Sequence, residues 1–199
     1  MTELEGILKF IKLTHDFQKI ERINLIKGEE RYENDVEHSY QLALIGWYIV
    51  SSQKLDLNID RVIQYSLLHD LVEVYAGDTY AFDADVSVHE SKVERERLAL
   101  VQLKEEFSEF PEMTNTIEQY EQRLDEESKF VYALDKIIPP LNMYLDGGRT
   151  WQRHSITLDQ IIENKTPKVA VHPEIQKYFE QIVALLKSEQ DQLWPKPNE

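Results

Sequence analysis

The sequence predicts an all-α fold, a bundle of roughly 6–9 helices. Three observations predict it. Only 6 of the 199 residues are glycine, while Leu, Ile, Glu, Lys and Gln are abundant, a composition that favours helix. Apolar residues recur three and four apart, as in Leu4, Ile7, Leu8 and Ile11, which is the spacing of one helix face. No segment sustains the period-two alternation of a half-buried strand.

Taken in order, the first helix is expected to run to about Ile20. Asn24 to Asn34 is charged, carries Gly28 and reads as a loop. Asp35 can cap a helix that holds Glu37 and His38 in its first turn and continues through Leu44, Trp47 and Val50. Asp60 can cap the next one, with Val62, Ile63, Leu67, Leu68, Leu71 and Val72 inside and Gly77 as its stop. Thr79 to Val86 reads as a loop. Ser87 to Glu90 has the Ser-x-x-Glu form of a capping box, opening a helix to about Phe107. Pro111 opens a short helix. Glu126 to about Leu145 forms another, with a kink expected at Pro139-Pro140. Asp146-Gly147-Gly148 is a turn, and short helices can follow it. Pro173 suits the first position of a last helix through Leu193. The length fits one domain over residues 1–199, with a core at about 19–145 and a helical extension at about 155–194.

Composition narrows the chemistry. Asp and Glu number 37 against 22 Lys and Arg, a net charge of −15. Such a chain lacks the broad basic face that a nucleic-acid polymer or an anionic membrane requires. The longest apolar stretch, Leu42 to Val50, is too short to span a bilayer. The start of the chain has no basic and apolar leader pattern, so a cytoplasmic location is expected. From Asp85 to Lys129 there are 13 acidic and 6 basic residues, read as a solvated helix face. With no cysteine, disulfides, thiolate metal sites and cysteine nucleophiles are excluded. Any metal must sit on His, Asp or Glu.

The informative pair is His69-Asp70, inside the apolar run Tyr65 to Val72. Both side chains are costly to bury unpaired. Glu73 lies four residues after His69 and three after Asp70, on their side of a helix. Asp78 falls just past the helix end. His38 opens an otherwise apolar helix, and Asp135 sits in the apolar segment Phe130 to Asp135. A buried carboxylate needs a cation or strong donors. Two histidines and two aspartates from three helices make an N/O site for a divalent metal. Each residue alone also has a plain reading. His69 can be a core histidine bonded to a carbonyl, Asp135 can pair with Lys136 or an arginine, and His38 can decorate a first turn.

The order His38, His69-Asp70, Asp135 resembles the HD-domain superfamily of metal-dependent phosphohydrolases. Two extended stretches are similar to its bacterial 5′-deoxynucleotidase-like branch. Glu33-Asn34-Asp35-Val36-Glu37-His38-Ser39 resembles E-(N/S)-V-x-E-H-S, and His69 to Asp78 resembles H-D-x-x-E-x-x-x-G-D. The similarity runs from about Lys19 to Leu145. It implies an HD-domain helical bundle in which His38, His69, Asp70 and Asp135 bind one divalent ion, of Mn, Co, Mg, Fe, Ni or Zn type. It implies that Glu73 handles the water or a proton near the phosphate, and that Asp78 activates or orients at the same place. It implies a 5′-nucleotidase that hydrolyses (deoxy)nucleoside monophosphates to nucleoside and phosphate, working as a homodimer. HD proteins also include nucleotide pyrophosphatases, triphosphohydrolases and phosphodiesterases, and a non-catalytic metal-binding regulatory module is a further alternative.

The branch places an Arg-Trp or similar pair before the first metal histidine. Here Arg22-Ile23 stands nearest. Arg22 is the candidate for the substrate phosphate, since a guanidinium fork suits phosphate. Ile23 cannot stack as tryptophan does, which leaves the preference for deoxyribose open. Gly147 to Arg153 is either a substrate loop or a surface turn with a packed Trp151. His15, His89, His154 and His172 share no ligand spacing, though His172 can cap the helix at Pro173. Tyr40, Trp47 and Tyr48 are expected in the core.

Overall fold

The computed structural model describes residues 2–79 and 86–195, and of residues 86–90 only the backbone. Among the described residues there are eleven helical segments, α1 to α11, and one two-stranded sheet. Eight of the helices have ten residues or more, so the expected all-α class and scale hold.

Helix α1 spans Glu3–Phe17 and starts on a Thr2/Glu5 capping box. It ends before Ile20, because the chain turns into a hairpin. Strand β1, Glu21–Leu25, pairs antiparallel with β2, Tyr32–Asn34, in the register Glu21↔Asn34 and Leu25↔Tyr32. The stretch expected as a loop therefore holds a strand pair. Distant residues fix it. Thr150 Oγ1 accepts from the Leu25 amide at 3.0 Å, Asp146 Oδ1 accepts from the Gly28 amide at 2.9 Å, and Arg149 donates to the Ile26 and Glu29 carbonyls.

Helix α2, Asp35–Gln53, is capped by Asn34, whose box with Glu37 replaces the expected Asp35 cap. Helix α3, Ile59–Leu68, is likewise capped by Asn58 rather than Asp60. It stops at Leu68, and α4, Glu73–Ala76, resumes after a turn, so the continuous helix to Val72 is corrected. The turn is held by bonds from the Leu71 amide to the Leu68 carbonyl and from the Glu73 amide to the Asp70 carbonyl. On an unbroken helix His69 and Asp70 would point about 100° apart. The break lets both side chains reach one place.

Helix α5, Val86–Glu106, begins one residue before the expected capping box. That box and the loop before it lie outside the described side chains. Helix α6, Pro111–Gln122, opens at Pro111 as expected, and α7, Glu126–Leu145, matches the expected limits. Helix α7 runs through Pro139-Pro140 without ending. Helices α8, Arg149–Arg153, and α9, Leu158–Val169, follow the Asp146-Gly147-Gly148 turn. At Gly148 φ is +76°, and a Cβ there would meet the Leu193 carbonyl at 2.8 Å. The last expected helix is two, α10 at Pro173–Ser188 and α11 at Gln190–Leu193. His172 occupies the cap position of α10 but makes no capping bond.

Two apolar clusters form the interior. One joins α2, α3 and α7 to the C-terminal helices, through Leu42, Val62, Phe130, Leu134, Trp151 and Ile175. The other holds α1, α5 and α6, through Phe17, Leu103, Phe107 and Ile117. Tyr65 belongs to the first, Leu71 and Val72 to the second. The His69-Asp70 pair thus sits on the seam between them.

The expectation of core aromatics on α2 is corrected. Tyr40, Trp47 and Tyr48 are 63%, 51% and 71% exposed. The buried face of α2 carries His38, Leu42, Ile49 and Val50 instead. Glycine at position 46 lets that face meet α3, where Val62 Cγ1 would lie 2.9 Å from an added Cβ.

Candidate metal centre and cavity

Three backbone elements converge on the seam. Helix α2 supplies His38, the end of α3 supplies His69 and Asp70, and the middle of α7 supplies Asp135. His38 Nε2 lies 2.9 Å from Asp135 Oδ1. His69 Nε2 lies 2.9 Å from Asp70 Oδ2 and 3.9 Å from Asp135 Oδ1. The two imidazole rings are 5.3 Å apart. All four predicted ligands are brought together.

The donor set fits a divalent ion on a specific observation. His69 Nδ1 is 2.9 Å from the Ser66 carbonyl, a bond that fixes the proton on Nδ1 and turns the Nε2 lone pair inward. Nε2 is buried and, among the described residues, has no hydrogen-bond partner, although Asp70 is near. Two ligand atoms about 2.1 Å from one ion at a right angle stand about 3 Å apart, the scale of the close pairs here. The plain reading of His69 as a carbonyl-bonded histidine is also true, and it is what orients the ligand.

The charges agree. Burial, then Arg22, pushes the His38 imidazole down to about 4, so it is neutral and able to ligate. Burial pushes His69 down as well, but Asp70 and Asp135 outweigh it and hold it above its ordinary value. Burial alone would raise Asp135. Lys136 and His38 instead hold it well below the carboxylate range. The ion pair of Asp135 with Lys136, the other plain reading, is present too.

A second acidic group lies alongside. Asp35, Asp70 and Glu73 have carboxylate oxygens within 4.8 Å of one another. Glu73 is 2% exposed, and burial with the charges of Asp70 and Asp78 raises it well above its ordinary value. Asp35 is fully buried, and burial with Asp70 pushes it up to about 7. Arg22 links the two sides, donating to Asp70 Oδ2 at 2.8 Å and Asp35 Oδ1 at 3.0 Å. Asp78 lines the same cavity and is raised by burial. Arg95 on α5 bonds the Ala76 carbonyl and, at 2.7 Å, Thr79 Oγ1, fastening the strap that carries Asp78.

The cavity holds about 400 Å³, within the range of small-molecule sites. Ile23, Met143 and Trp151 give it an apolar patch, and Lys92, Lys136, Lys165 and Lys168 join Arg22 on its cationic side. Those lysines escape sequence reasoning, since they are scattered over α5, α7 and α9. The spacing of Asn164, Lys165 and Lys168 on α9 was the available signal. Gly147 to Arg153 is neither alternative alone. Thr150 and Trp151 are buried, Trp151 lines the cavity, and Arg149 clamps the hairpin. Among the described residues, His15, His154 and His172 lie outside the ligand cluster. The side chain of His89 lies outside the described residues.

Fold and site together define a helical protein with a His/Asp cluster able to hold a metal ion, opening on a cavity of small-molecule size. The HD-domain family model matches residues 15–176, and the chain belongs to that family. Among curated relatives, mouse 5′-deoxynucleotidase HDDC2 is 31% identical over 134 residues, 66% of this chain and 65% of that protein. The human protein of the same name is 29% identical, over 66% of this chain and 63% of its own length. The chain thus spans just under two thirds of these relatives. A solved structure of a predicted metal-dependent phosphohydrolase from Magnetospirillum magnetotacticum MS-1 superposes with a TM-score of 0.80, at 27% identity over 94% of each chain. An HD-domain phosphohydrolase from Listeria innocua shares the fold, at a TM-score of 0.60 and 18% identity, over 96% of this chain and 90% of that one.

Proposed function

We propose that this chain is a metal-dependent phosphomonoesterase that hydrolyses nucleoside 5′-monophosphates to nucleoside and phosphate. One observation carries the reading. His38, His69, Asp70 and Asp135 meet at a buried point that opens on the cavity holding Glu73, Asp78 and Arg22. The names of the mouse and human relatives support the substrate class.

In this reading the four ligands hold one divalent cation. When bound, such an ion lowers the pKa of its water and polarises a phosphoryl oxygen. Glu73, whose proton is retained by burial and by Asp70 and Asp78, passes that proton to the leaving 5′-oxygen. Asp78, which burial also raises, orients the attacking water from the same cavity wall. Arg22 binds the phosphate through its guanidinium fork; its Nε makes no hydrogen bond among the described residues and lies 3.8 Å from Glu33 Oε2. Ile23 lines the cavity without an aromatic ring, so apolar contact rather than stacking positions the sugar.

The test is phosphate release from a panel of 5′-mononucleotides with Mn, Co or Mg, with metal content measured in parallel. Bound metal without release from any of them ends the reading. Product analysis separates it from pyrophosphate or triphosphate release and from phosphodiester cleavage.

We further propose a cytoplasmic homodimer. Leu4, Ile7, Leu8 and Ile11 on α1 and Tyr40, Leu44, Trp47 and Tyr48 on α2 are exposed at helical spacing. Exposed apolar rows of that kind mark association surfaces. No helix of the described residues is long and apolar enough to cross a membrane. Sedimentation decides the oligomer: a monomer at micromolar concentration removes the dimer.

A further inference from the structure

Glu33 opens the first of the two motif stretches, and the reading above gives it no task. It is 6% exposed, a costly place for a carboxylate without donors. The hairpin register, Glu21↔Asn34, brings it beside Arg22, and it precedes His38 by five residues. Asn24 Nδ2 donates to its Oε2 at 3.2 Å, and Asn142 Nδ2 donates to its Oε1 at 3.4 Å. The carboxylate is thus held from β1 and from α7. Two buried nitrogens face one of its oxygens. Arg22 Nε lies 3.8 Å and His38 Nδ1 lies 3.9 Å from Glu33 Oε2. Neither makes a hydrogen bond among the described residues.

A histidine that ligates through Nε2 carries its proton on Nδ1, and that N–H is ordinarily given to a carboxylate or a carbonyl. His69 already has this arrangement, through Nδ1 and the Ser66 carbonyl. His38 does not. Its Nε2 bonds Asp135 Oδ1 at 2.9 Å, and its Nδ1 stands about 1 Å beyond hydrogen-bond length from Glu33. With Nε2 committed to an ion, the proton sits on Nδ1 and needs an acceptor in a buried place. We propose that Glu33 is a positioning residue of the metal centre: its Oε2 accepts a hydrogen bond from His38 Nδ1 in the loaded protein and fixes the ring, beside the Arg22 guanidinium, for ligation. This rests on the metal-dependent reading above.

The experiment is calorimetric titration of manganese into the full chain, for wild type, Glu33→Gln and Glu37→Gln. Glu33→Gln is expected to bind manganese about 10–100-fold more weakly. Glu37 comes from the same stretch, but its carboxylate is engaged by Arg31 and the Asn34 amide, so Glu37→Gln should keep the wild-type affinity. Unchanged affinity in Glu33→Gln overturns the proposal. So does an equal loss in both variants, because the loss would then come from net charge. Long-range ¹H–¹⁵N spectra of the zinc-loaded wild type need no variant. Exchange-protected Nδ1 protons are expected from both His38 and His69; a protected proton from His69 without one from His38 overturns the proposal. A wild type that binds neither manganese nor zinc ends the metal reading and this inference with it. Metal binding without phosphate release from any nucleotide ends the phosphomonoesterase reading alone, and the affinities still decide on Glu33.

Discussion

Replacing Arg22 by methionine should cost the metal-free protein about 3 kcal/mol. Methionine keeps much of the apolar stem and removes the guanidinium. That group bonds Asp70 Oδ2 at 2.8 Å and Asp35 Oδ1 at 3.0 Å. Asp35 is fully buried, and its Oδ2 already lacks a donor among the described residues. Removing one partner of a buried pair costs about 3–5 kcal/mol because the other charge stays behind. Asp35 can escape part of this by taking a proton, since burial and Asp70 already push it up to about 7. The lower end of the range is therefore expected. For a chain of this size it is a fall of about 6–12 °C in Tm. The pH dependence has a definite sign. The folded pKa of Asp35 lies above its unfolded value, so its ionisation costs stability, and that cost fades as pH falls through 7. Losing Arg22 raises the folded pKa further, so the deficit is largest above pH 7 and shrinks on acidification. Thermal melts of wild type and Arg22→Met in EDTA, between pH 5.5 and 8.5, test this. A fall below 2 °C at pH 8.5, or a deficit that grows toward pH 5.5, would refute the reasoning.

Three further perturbations separate the parts of the site. Glu73→Gln should lower turnover by about 10²–10⁴-fold while elemental analysis finds metal retained; loss of metal would make Glu73 a ligand instead. His69→Ala should abolish the rise in Tm that manganese gives the wild type, because the Nε2 aimed at the ion is gone; an undiminished rise would remove His69 from the centre. Gly148→Ala should destabilise by about 1–3 kcal/mol in urea titration, since φ is +76° and the Leu193 carbonyl is 2.8 Å from the added carbon; a neutral result would mean the turn relaxes.

The convergence of the His/Asp cluster was legible because its signal is local. His69-Asp70 is adjacent, and His38 and Asp135 each interrupt an apolar helix. The limits of α7 were legible as well, since a clear period opens at Glu126 and the Asp146-Gly147-Gly148 turn closes it. The hairpin was not. Its strands have five and three residues, too few to show alternation, and Thr150 and Arg149, more than a hundred residues away, hold it in place. Asp35 reads as a cap because aspartate favours helix starts, yet Asn34 takes that place and leaves Asp35 buried beside Arg22. The lysine wall was illegible for a plainer reason. Lys92, Lys136, Lys165 and Lys168 are spread over three helices, and only packing shows that they share a cavity.

That concentration of cations has a kinetic consequence. The chain as a whole carries −15, while five of its basic side chains are gathered around one opening. A phosphate dianion approaching from bulk first meets a repelling surface and feels the attracting one only at short range. Added salt shortens the reach of both fields, to about 10 Å at 0.1 M, but it weakens the distant repulsion more than the contact attraction. Moderate ionic strength should therefore speed capture of the substrate, the reverse of the usual behaviour where a basic protein steers an anion inward.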